Sequence, residues 1–122
     1  MKMRKIVMLL LIGSIVNLAQ AQSVTAFTVS KNLFNTIKDT NVTLVFESSY
    51  NGTADLKLYN SAGEMVRNLD SQILNPTTAN AAQTVIWDGK NKAGALVASG
   101  IYFFQLRLNF GAFSKRLMVI TH

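Results

Sequence analysis

The sequence predicts a small all-β domain, an antiparallel sandwich or barrel of about seven short strands, behind an N-terminal secretory leader. Three observations predict this class. Short apolar runs alternate with polar residues in a period of two, turn residues separate the runs, and the chain after the leader lacks convincing helical periodicity. About a hundred residues are enough to bury a core without cross-links, so we expect one domain over residues 22–122.

Residues 1–21 have the order of a secretory signal peptide. Lys2, Arg4 and Lys5 form a positive segment, an apolar run follows over residues 6–16, and Ala19-Gln20-Ala21 supplies the small residues that signal peptidase needs. The apolar run is roughly half as long as a segment that crosses a bilayer, so an uncleaved signal anchor is the weaker alternative. We expect a leader helix that is removed, no stable membrane span afterwards, and an exported product in the periplasm, at the cell surface or outside the cell.

The leader accounts for part of the basic charge. The chain has 12 Lys and Arg residues against 6 Asp and Glu residues, a net charge of +6. Removal of Lys2, Arg4 and Lys5 leaves nine basic and six acidic side chains, or +3, which is ordinary for a small soluble domain. The remaining cations are scattered along the sequence, so we expect no nucleic-acid partner.

Four strands are predicted in the first half of the domain. One is expected within residues 24–29, and a second over residues 42–47, where Val42, Leu44 and Phe46 would form the buried face. Asn51-Gly52 is a strong hairpin signal, so the strand over residues 54–59 is expected to return beside the second. A turn at residues 60–63 then leads to a short strand over residues 65–69.

Three further strands are predicted in the second half. Residues 70–82 are polar, include the only proline, Pro76, and predict a loop that crosses between sheets. Phe110-Gly111-Ala112 is expected to be a hairpin loop. The strands themselves are expected over residues 84–87, 101–108 and 113–120.

A longer motif begins at the end of the strand over residues 84–87. Trp87-Asp88-Gly89 is followed by a charged turn to Gly94, and Ser99-Gly100-Ile101-Tyr102 then heads the most apolar strand. Together with the segment Leu58 to Leu69, this pattern resembles the Ig-like domain of flagellar hook-capping proteins of the FlgD type. The resemblance implies an Ig-like or fibronectin-III-like antiparallel β-sandwich. It also implies structural roles for Trp87, Asp88, Gly89, Gly94, Ser99, Gly100 and Tyr102.

The same pattern is similar to the C-terminal sorting domains of the bacterial type IX secretion system. Lys31-Asn32-Leu33-Phe34-Asn35 matches the opening Pro-Asn-Pro-Phe-Asn of such domains without its two prolines, and Lys115-Arg116 matches the basic pair before their last strand. The resemblance implies that Lys115 and Arg116 are a candidate recognition pair for secretion machinery; solvated groups beside a strand are the alternative. Sorting domains normally follow a large cargo, so a free-standing or truncated module is also expected as an alternative.

Physical reasoning assigns roles to several of the same positions. The glycines at 89, 94 and 100 lie where the chain must reverse, which favours positive φ or a close approach. A lone tryptophan in a small β domain is more often core than ligand platform, and Trp87 is expected to pack centrally with Tyr102, Phe104 and Leu106.

The chain offers little chemistry for catalysis. Without cysteine it has no disulfide, thiolate nucleophile, cysteine-based zinc site or lipoprotein anchor. The one histidine, His122, is the last residue, and the six acidic residues are dispersed. The turn after Asp88 has Lys90 and Lys92 where a calcium loop needs oxygen ligands. We therefore expect no catalytic residue, cofactor or metal.

These observations favour a non-enzymatic, exported Ig-like module that acts through protein–protein contact with secretion machinery or an envelope component. The alternative is a small carbohydrate- or surface-binding module. Its candidate residues are the aromatic side chains of Tyr50, Tyr59, Phe103 and Phe110, and a contiguous exposed row of them would favour it. An enzyme is the third reading, which a convergent pair of carboxylates in a pocket would favour.

Overall fold

The computed structural model describes residues 23–49, 51–75 and 77–121, so the predicted leader, Tyr50, Pro76 and His122 lie outside the described residues. Eight strands and one short 3-10 helix, Asp70–Gln72, occur in the described part. The strands are β1 (Val24–Val29), β2 (Leu33–Asn35), β3 (Val42–Ser48), β4 (Ala54–Asn60), β5 (Met65–Asn68), β6 (Gln83–Trp87), β7 (Gly100–Leu108) and β8 (Gly111–Ile120).

The strands form two sheets that pack face to face as an Ig-like sandwich. One sheet has the order β1-β3-β6 and the other the order β2-β8-β7-β4-β5. All pairs are antiparallel except β2 with β8, which is parallel. The prediction of an all-β antiparallel sandwich is confirmed, with eight strands in the described residues where about seven were expected.

Period-two alternation places the apolar side chains between the sheets. On β3 the residues Val42, Leu44 and Phe46 are buried and their neighbours are half-buried, as the sequence predicts. The opposing sheet contributes Leu56 and Leu58 from β4, which are fully buried. Full burial of a large apolar side chain stabilises the fold by roughly 1.5–3 kcal/mol, so these alternating positions supply most of the stability.

The eighth strand, β2, was not predicted. It has only three residues, and only Phe34 among them is buried, so no alternating pattern identifies it. Two backbone bonds hold it parallel to the end of β8, from the Met118 N–H to the Asn32 oxygen at 3.1 Å and from the Thr36 N–H to the Ile120 oxygen at 3.0 Å. The Lys-Asn-Leu-Phe-Asn segment therefore forms an edge strand in the larger sheet.

The predicted hairpin at Asn51-Gly52 is wrong, because β3 and β4 belong to different sheets. The segment between them crosses from one layer to the other. Its two turn residues are used to hold a second crossing loop: the Asn51 Oδ1 accepts from the Ala79 N–H at 2.6 Å, and Gly52 forms a bridge with Thr77. The loop after β5 also crosses between sheets, as predicted. The hairpin loop predicted at residues 110–112 ends earlier than expected, since β8 already begins at Gly111.

Side-chain amides cover the outer edge of β6. The Gln72 Nε2 donates to the Ile86 oxygen at 2.6 Å, and the Gln72 Oε1 accepts from the Ile86 N–H at 2.7 Å. Gln83 makes the same pair of bonds with the backbone of Leu74, at 3.0 and 2.7 Å. The Gln72 amide takes the place of a neighbouring strand at Ile86, and the Gln83 amide ties β6 to the Leu74 loop, so fewer backbone groups are exposed at this edge to promote association.

Candidate functional site

The Trp-Asp-Gly motif lies at the end of β6 and in the centre of the core. Trp87 is fully buried, and its ring lies 5.7 Å from that of Phe34, 6.2 Å from that of Tyr102 and 5.9 Å from that of Phe104, between centroids. Its Nε1 donates to the Lys90 oxygen at 2.8 Å, so the one polar atom of the indole is satisfied. The indole of the three-stranded sheet packs against aromatic residues of the five-stranded sheet, inside the core.

The Asp88 carboxylate shapes the turn that follows. Its Oδ1 accepts from the Lys90 N–H and from the Arg67 guanidinium, both at 3.0 Å, and Arg67 also donates to the Lys90 oxygen at 2.9 Å. Partial burial raises the pKa of Asp88, but the Lys90 N–H and Arg67 outweigh it, so the pKa lies below its usual value. Arg67 thereby connects β5 to the motif.

The two glycines of this turn differ in their surroundings. Gly89 and Gly94 have φ of 82° and 88°, which L side chains rarely adopt. An added Cβ at Gly89 would lie 3.0 Å from the Phe34 Cε2, whereas at Gly94 nothing lies within 4 Å. The close approach at Gly89 is where the Trp-Asp-Gly motif and β2 meet.

The Ser-Gly-x-Tyr segment ties β7 to the end of β8. The Ser99 Oγ accepts from the Thr121 N–H at 3.1 Å, and the buried Tyr102 hydroxyl donates to the Ala98 oxygen at 2.6 Å. Burial raises the pKa of Tyr102. The expectation for Gly100 is wrong: this residue begins β7 without positive φ, and an added Cβ would make only an ordinary 3.9 Å contact with Tyr102.

Lys115 and Arg116 lie on opposite faces of β8. Lys115 lies on the same face of β8 as Phe113 and Leu117, which point inward, but its own side chain is exposed. Arg116 projects from the outer face of the five-stranded sheet. Within residues 23–49, 51–75 and 77–121 neither side chain has an ion pair or a hydrogen bond. The two cations are therefore free for a partner but face different directions, so they do not form one paired cluster.

An apolar band crosses the outer face of the five-stranded sheet around Arg116. Cross-strand pairs join its members, Leu33 to Met118, Met118 to Ile101, and Phe103 to Tyr59. Leu33 and Met118 are each 47% exposed. We call this surface the outer-face band; it comprises Leu33, Tyr59, Met65, Ile101, Phe103 and Met118, with Arg116 directly opposite Phe103.

Sequence reasoning did not find a groove at the side of the sandwich where β1 and β8 face each other. It has a volume of about 350 Å³ and is lined by Val24 to Phe27 on β1 and by Phe113, Ser114 and Lys115 on β8. Among the described strands, β7 is the only neighbour of β8 along this stretch, since β2 pairs with residues 118–120. A lysine at an inward position of an otherwise apolar strand face was the available signal.

The aromatic candidates do not form one row. Tyr59 and Phe103 are direct cross-strand neighbours on the outer face, beside a shallow depression of about 470 Å³. Phe110 lies at the other end of the sheet, in edge contact with Phe113 at 6.0 Å between ring centroids. The fourth candidate, Tyr50, is outside the described residues.

Two carboxylates do converge, but on a lysine. The Lys57 Nζ lies 2.9 Å from the Asp70 Oδ2 and 3.6 Å from the Asp55 Oδ1. The hydrogen bond from Lys57 to Asp70 raises the pKa of Lys57. Asp70 also accepts from the Leu56 N–H at 2.8 Å, so Asp70 holds β4 to the 3-10 helix, whereas Asp55 lies on β4 itself.

A depression of about 640 Å³ lies between the β4–β5 turn and the loop over residues 91–98. Its polar groups already hold the two turns. The Asn91 Oδ1 accepts from the N–H groups of Ala93 and Ala95, and Asn60 bonds to Glu64. The outer-face band and the groove beside Lys115 are therefore the better candidates for a binding surface.

The described part of the chain holds no helix with the length and apolar character required to cross a membrane. No protein-family model matches the sequence, and no curated protein matches it. Solved structures, however, contain the same fold.

Two similar structures come from Porphyromonas gingivalis. One is PorZ, described as an essential bacterial surface component of the type-IX secretion system, with a TM-score of 0.54 and 18% identity over 78% of this chain. The other is dimeric latent PorU, with a TM-score of 0.58 and 15% identity over 84% of this chain. The chain spans 11% of the PorZ chain and 10% of the PorU chain. This β domain thus shares its fold with a part of each of these two proteins; the resemblance to hook-capping proteins stays a prediction.

Proposed function

We propose that this chain is an exported, non-enzymatic Ig-like module that binds a protein of a type IX-like secretion or envelope assembly. The outer-face band is the observation that carries the proposal. Monomeric domains rarely expose a contiguous apolar surface across a whole sheet unless it contacts a partner. The likeness in fold to PorZ, a surface component of such a system, supports the same class of function.

The chemistry of the band specifies the partner's surface. Leu33, Ile101 and Met118 provide apolar contact, and Arg116, which forms no ion pair with any described residue, lies beside them. A guanidinium binds a carboxylate through two parallel hydrogen bonds, so an acidic side chain next to apolar residues is the complementary surface. Arginine and aromatic residues are also the types that dominate binding energy at protein interfaces.

A reporter fused ahead of residues 22–122 in a type IX-competent bacterium tests this function. We expect the reporter to reach the cell surface and Arg116→Ala to reduce its surface fraction. The matched control is Arg107→Ala, which removes an exposed arginine elsewhere on the same sheet. Retention of the reporter in the periplasm, or an equal effect of both substitutions, would refute the proposal.

A second function is favoured by the neighbouring Tyr59 and Phe103. Their depression also contains the polar side chains of Asn60, Gln105 and Ser114, a combination of aromatic faces and amides that suits a sugar ring. A glycan array tests it: binding that is lost in Phe103→Ala and kept in Phe110→Ala would support a carbohydrate site, and an array without binding would exclude it.

A further inference from the structure

We propose that the stretch of β8 from Ala112 to Arg116 is a strand-addition site for an extended segment of a partner protein that carries an acidic side chain. This goes beyond the outer-face contact, because the bonds would form in the plane of the sheet, at its edge. Strand addition gives affinity through the main chain and specificity through alternate side chains.

The backbone geometry of β8 shows which groups are available. The Met118 N–H donates to Asn32 and the Ile120 oxygen accepts from Thr36, so even-numbered residues of β8 turn their backbone groups away from β7. The register with β7 is regular from Gly111 to Val119, so this alternation continues to the start of the strand. Ala112, Ser114 and Arg116 thus present N–H and C=O groups that no described strand accepts or donates to.

The open stretch has a defined length. Asn32 already takes the Met118 N–H and closes one end, and the turn after β7 closes the other. Five residues of antiparallel strand extend about 17 Å, which accommodates a short extended peptide.

Parts of two other edges of the sandwich, β5 and β6, are covered. The Gln72 and Gln83 amides cover β6 and the loop beside it. Along β5 the Lys92 N–H donates to the Val66 oxygen at 3.0 Å. Against that background, the uncovered part of β8 is a feature to be explained, since protein folds usually block long free edges.

The groove between β1 and β8 would receive the side chains of the added strand. Phe27 and Phe113 supply apolar surface, and Lys115 is the only charged residue that the described part of the chain contributes to the lining. An added strand would direct alternate side chains into this groove, where apolar residues meet the two rings and a carboxylate meets Lys115. Its opposite face would pass beside Arg116. Both cations therefore favour an acidic segment.

The same charges disfavour a second copy of this chain. Antiparallel pairing of two β8 edges about their open stretch would bring Lys115 and Arg116 of one copy close to those of the other. With the two edges paired about Ser114, the two Lys115 side chains lie diagonally across the pair, about 7–8 Å apart, where like charges repel. Charge complementarity thus selects a partner protein with an acidic extended segment.

The test uses the exported chain and a capped synthetic peptide of alternating Val, Thr and Asp residues, with a Lys-for-Asp peptide as the comparison. Binding is measured by isotope-edited NMR, which also shows whether the amide signals of Ser114 and Arg116 shift. We expect the acidic peptide to bind more tightly than the basic one and Lys115→Ala to reduce that preference.

Ser114→Pro separates edge pairing from side-chain contact. Proline removes one outward N–H, is tolerated on an edge strand and breaks no bond to β7. We expect Ser114→Pro to weaken binding of the acidic peptide about fivefold, which corresponds to the loss of one hydrogen bond. Ser114→Val keeps the N–H and should leave the affinity unchanged. Absence of binding, or equal binding by the proline and valine variants, would overturn the proposal.

Two further readouts distinguish this site from the alternatives. A concentration-dependent dimer that Ser114→Pro dissociates would mean that a second copy occupies the edge, and would overturn the choice of partner. Met118→Lys alters the outer-face band and should impair surface delivery of the reporter while peptide binding stays intact. The proposed strand addition at β8 and the proposed contact through the outer-face band can therefore be refuted independently.

Discussion

Substitution of Gly89 by alanine tests the contact between the Trp-Asp-Gly turn and β2. At a φ of 82° a Cβ costs about 1–2 kcal/mol from backbone conformation alone. The new atom would also lie 3.0 Å from the Phe34 Cε2. That ring is fully buried and packs against Trp87, so it cannot swing away, and overpacking of this kind costs about 1–3 kcal/mol.

Gly89→Ala should therefore lower the free energy of unfolding by about 2–5 kcal/mol. Gly94→Ala is the matched control, because its φ of 88° is similar and no atom lies within 4 Å of the added Cβ, so we expect about 1–2 kcal/mol. Urea unfolding followed by far-ultraviolet circular dichroism gives both values, provided that the dependence on urea concentration stays the same.

A double-mutant cycle with Phe34→Leu identifies the cause. If the ring opposes the added methyl group, the cost of Gly89→Ala should fall in the Phe34→Leu background to the cost of Gly94→Ala. Equal costs for the two glycines in the parent protein, or a cost at Gly89 that Phe34→Leu leaves unchanged, would refute the reasoning.

Three other predictions concern the β6 edge, the motif turn and the leader. Gln72→Leu should cost about 1–2 kcal/mol and cause association with rising concentration in sedimentation velocity, whereas Ser71→Leu should stay monomeric; a monomeric Gln72→Leu would contradict this. Because the folded pKa of Asp88 lies below the unfolded value of 3.8, its stabilisation is present above that pH and is lost as the pH falls through the folded pKa. The Tm of Asp88→Asn should thus fall less steeply than the Tm of the parent as the pH is lowered. Equal slopes of Tm against pH would show that Asp88 does not contribute to acid stability. The intact mass of the exported product should correspond to a start at Gln22, and Ala21→Lys should retain the leader. A full-length mass for the parent would mean that the segment is an uncleaved anchor.

The strands with alternating burial could be predicted from the sequence. Val42, Leu44 and Phe46 repeat every second residue because one face of β3 meets the core, and β7 repeats the pattern around Tyr102 and Phe104. Trp87 was predicted as core because its large apolar area has few other places in a small domain, and it is fully buried.

Pairing between strands could not be predicted in the same way. Asn51-Gly52 has the local chemistry of a hairpin, but its bonds go to the loop around Thr77 and Ala79, a choice that depends on the two sheets and not on the turn itself. The strand β2 was missed because one buried residue, Phe34, carries no period.

Part of the candidate binding surface could also be predicted from the sequence, and part could not. Period two alone places Lys115 and Arg116 on opposite faces of a strand, so the sequence contained this separation. The open edge beside them was not in the sequence, because it depends on where β2 stops pairing with β8, a long-range contact between residues 33–35 and 118–120.

The position of the single tryptophan gives the protein a built-in optical reporter of how its two layers join. The indole belongs to β6 in one sheet, and its aromatic neighbours Phe34, Tyr102 and Phe104 belong to the other. Emission from a dry indole is blue-shifted, and a tyrosine 6.2 Å away transfers excitation to it efficiently. Stopped-flow fluorescence would therefore follow the docking of one sheet on the other, the long-range step that sets the slow folding of β-sandwiches.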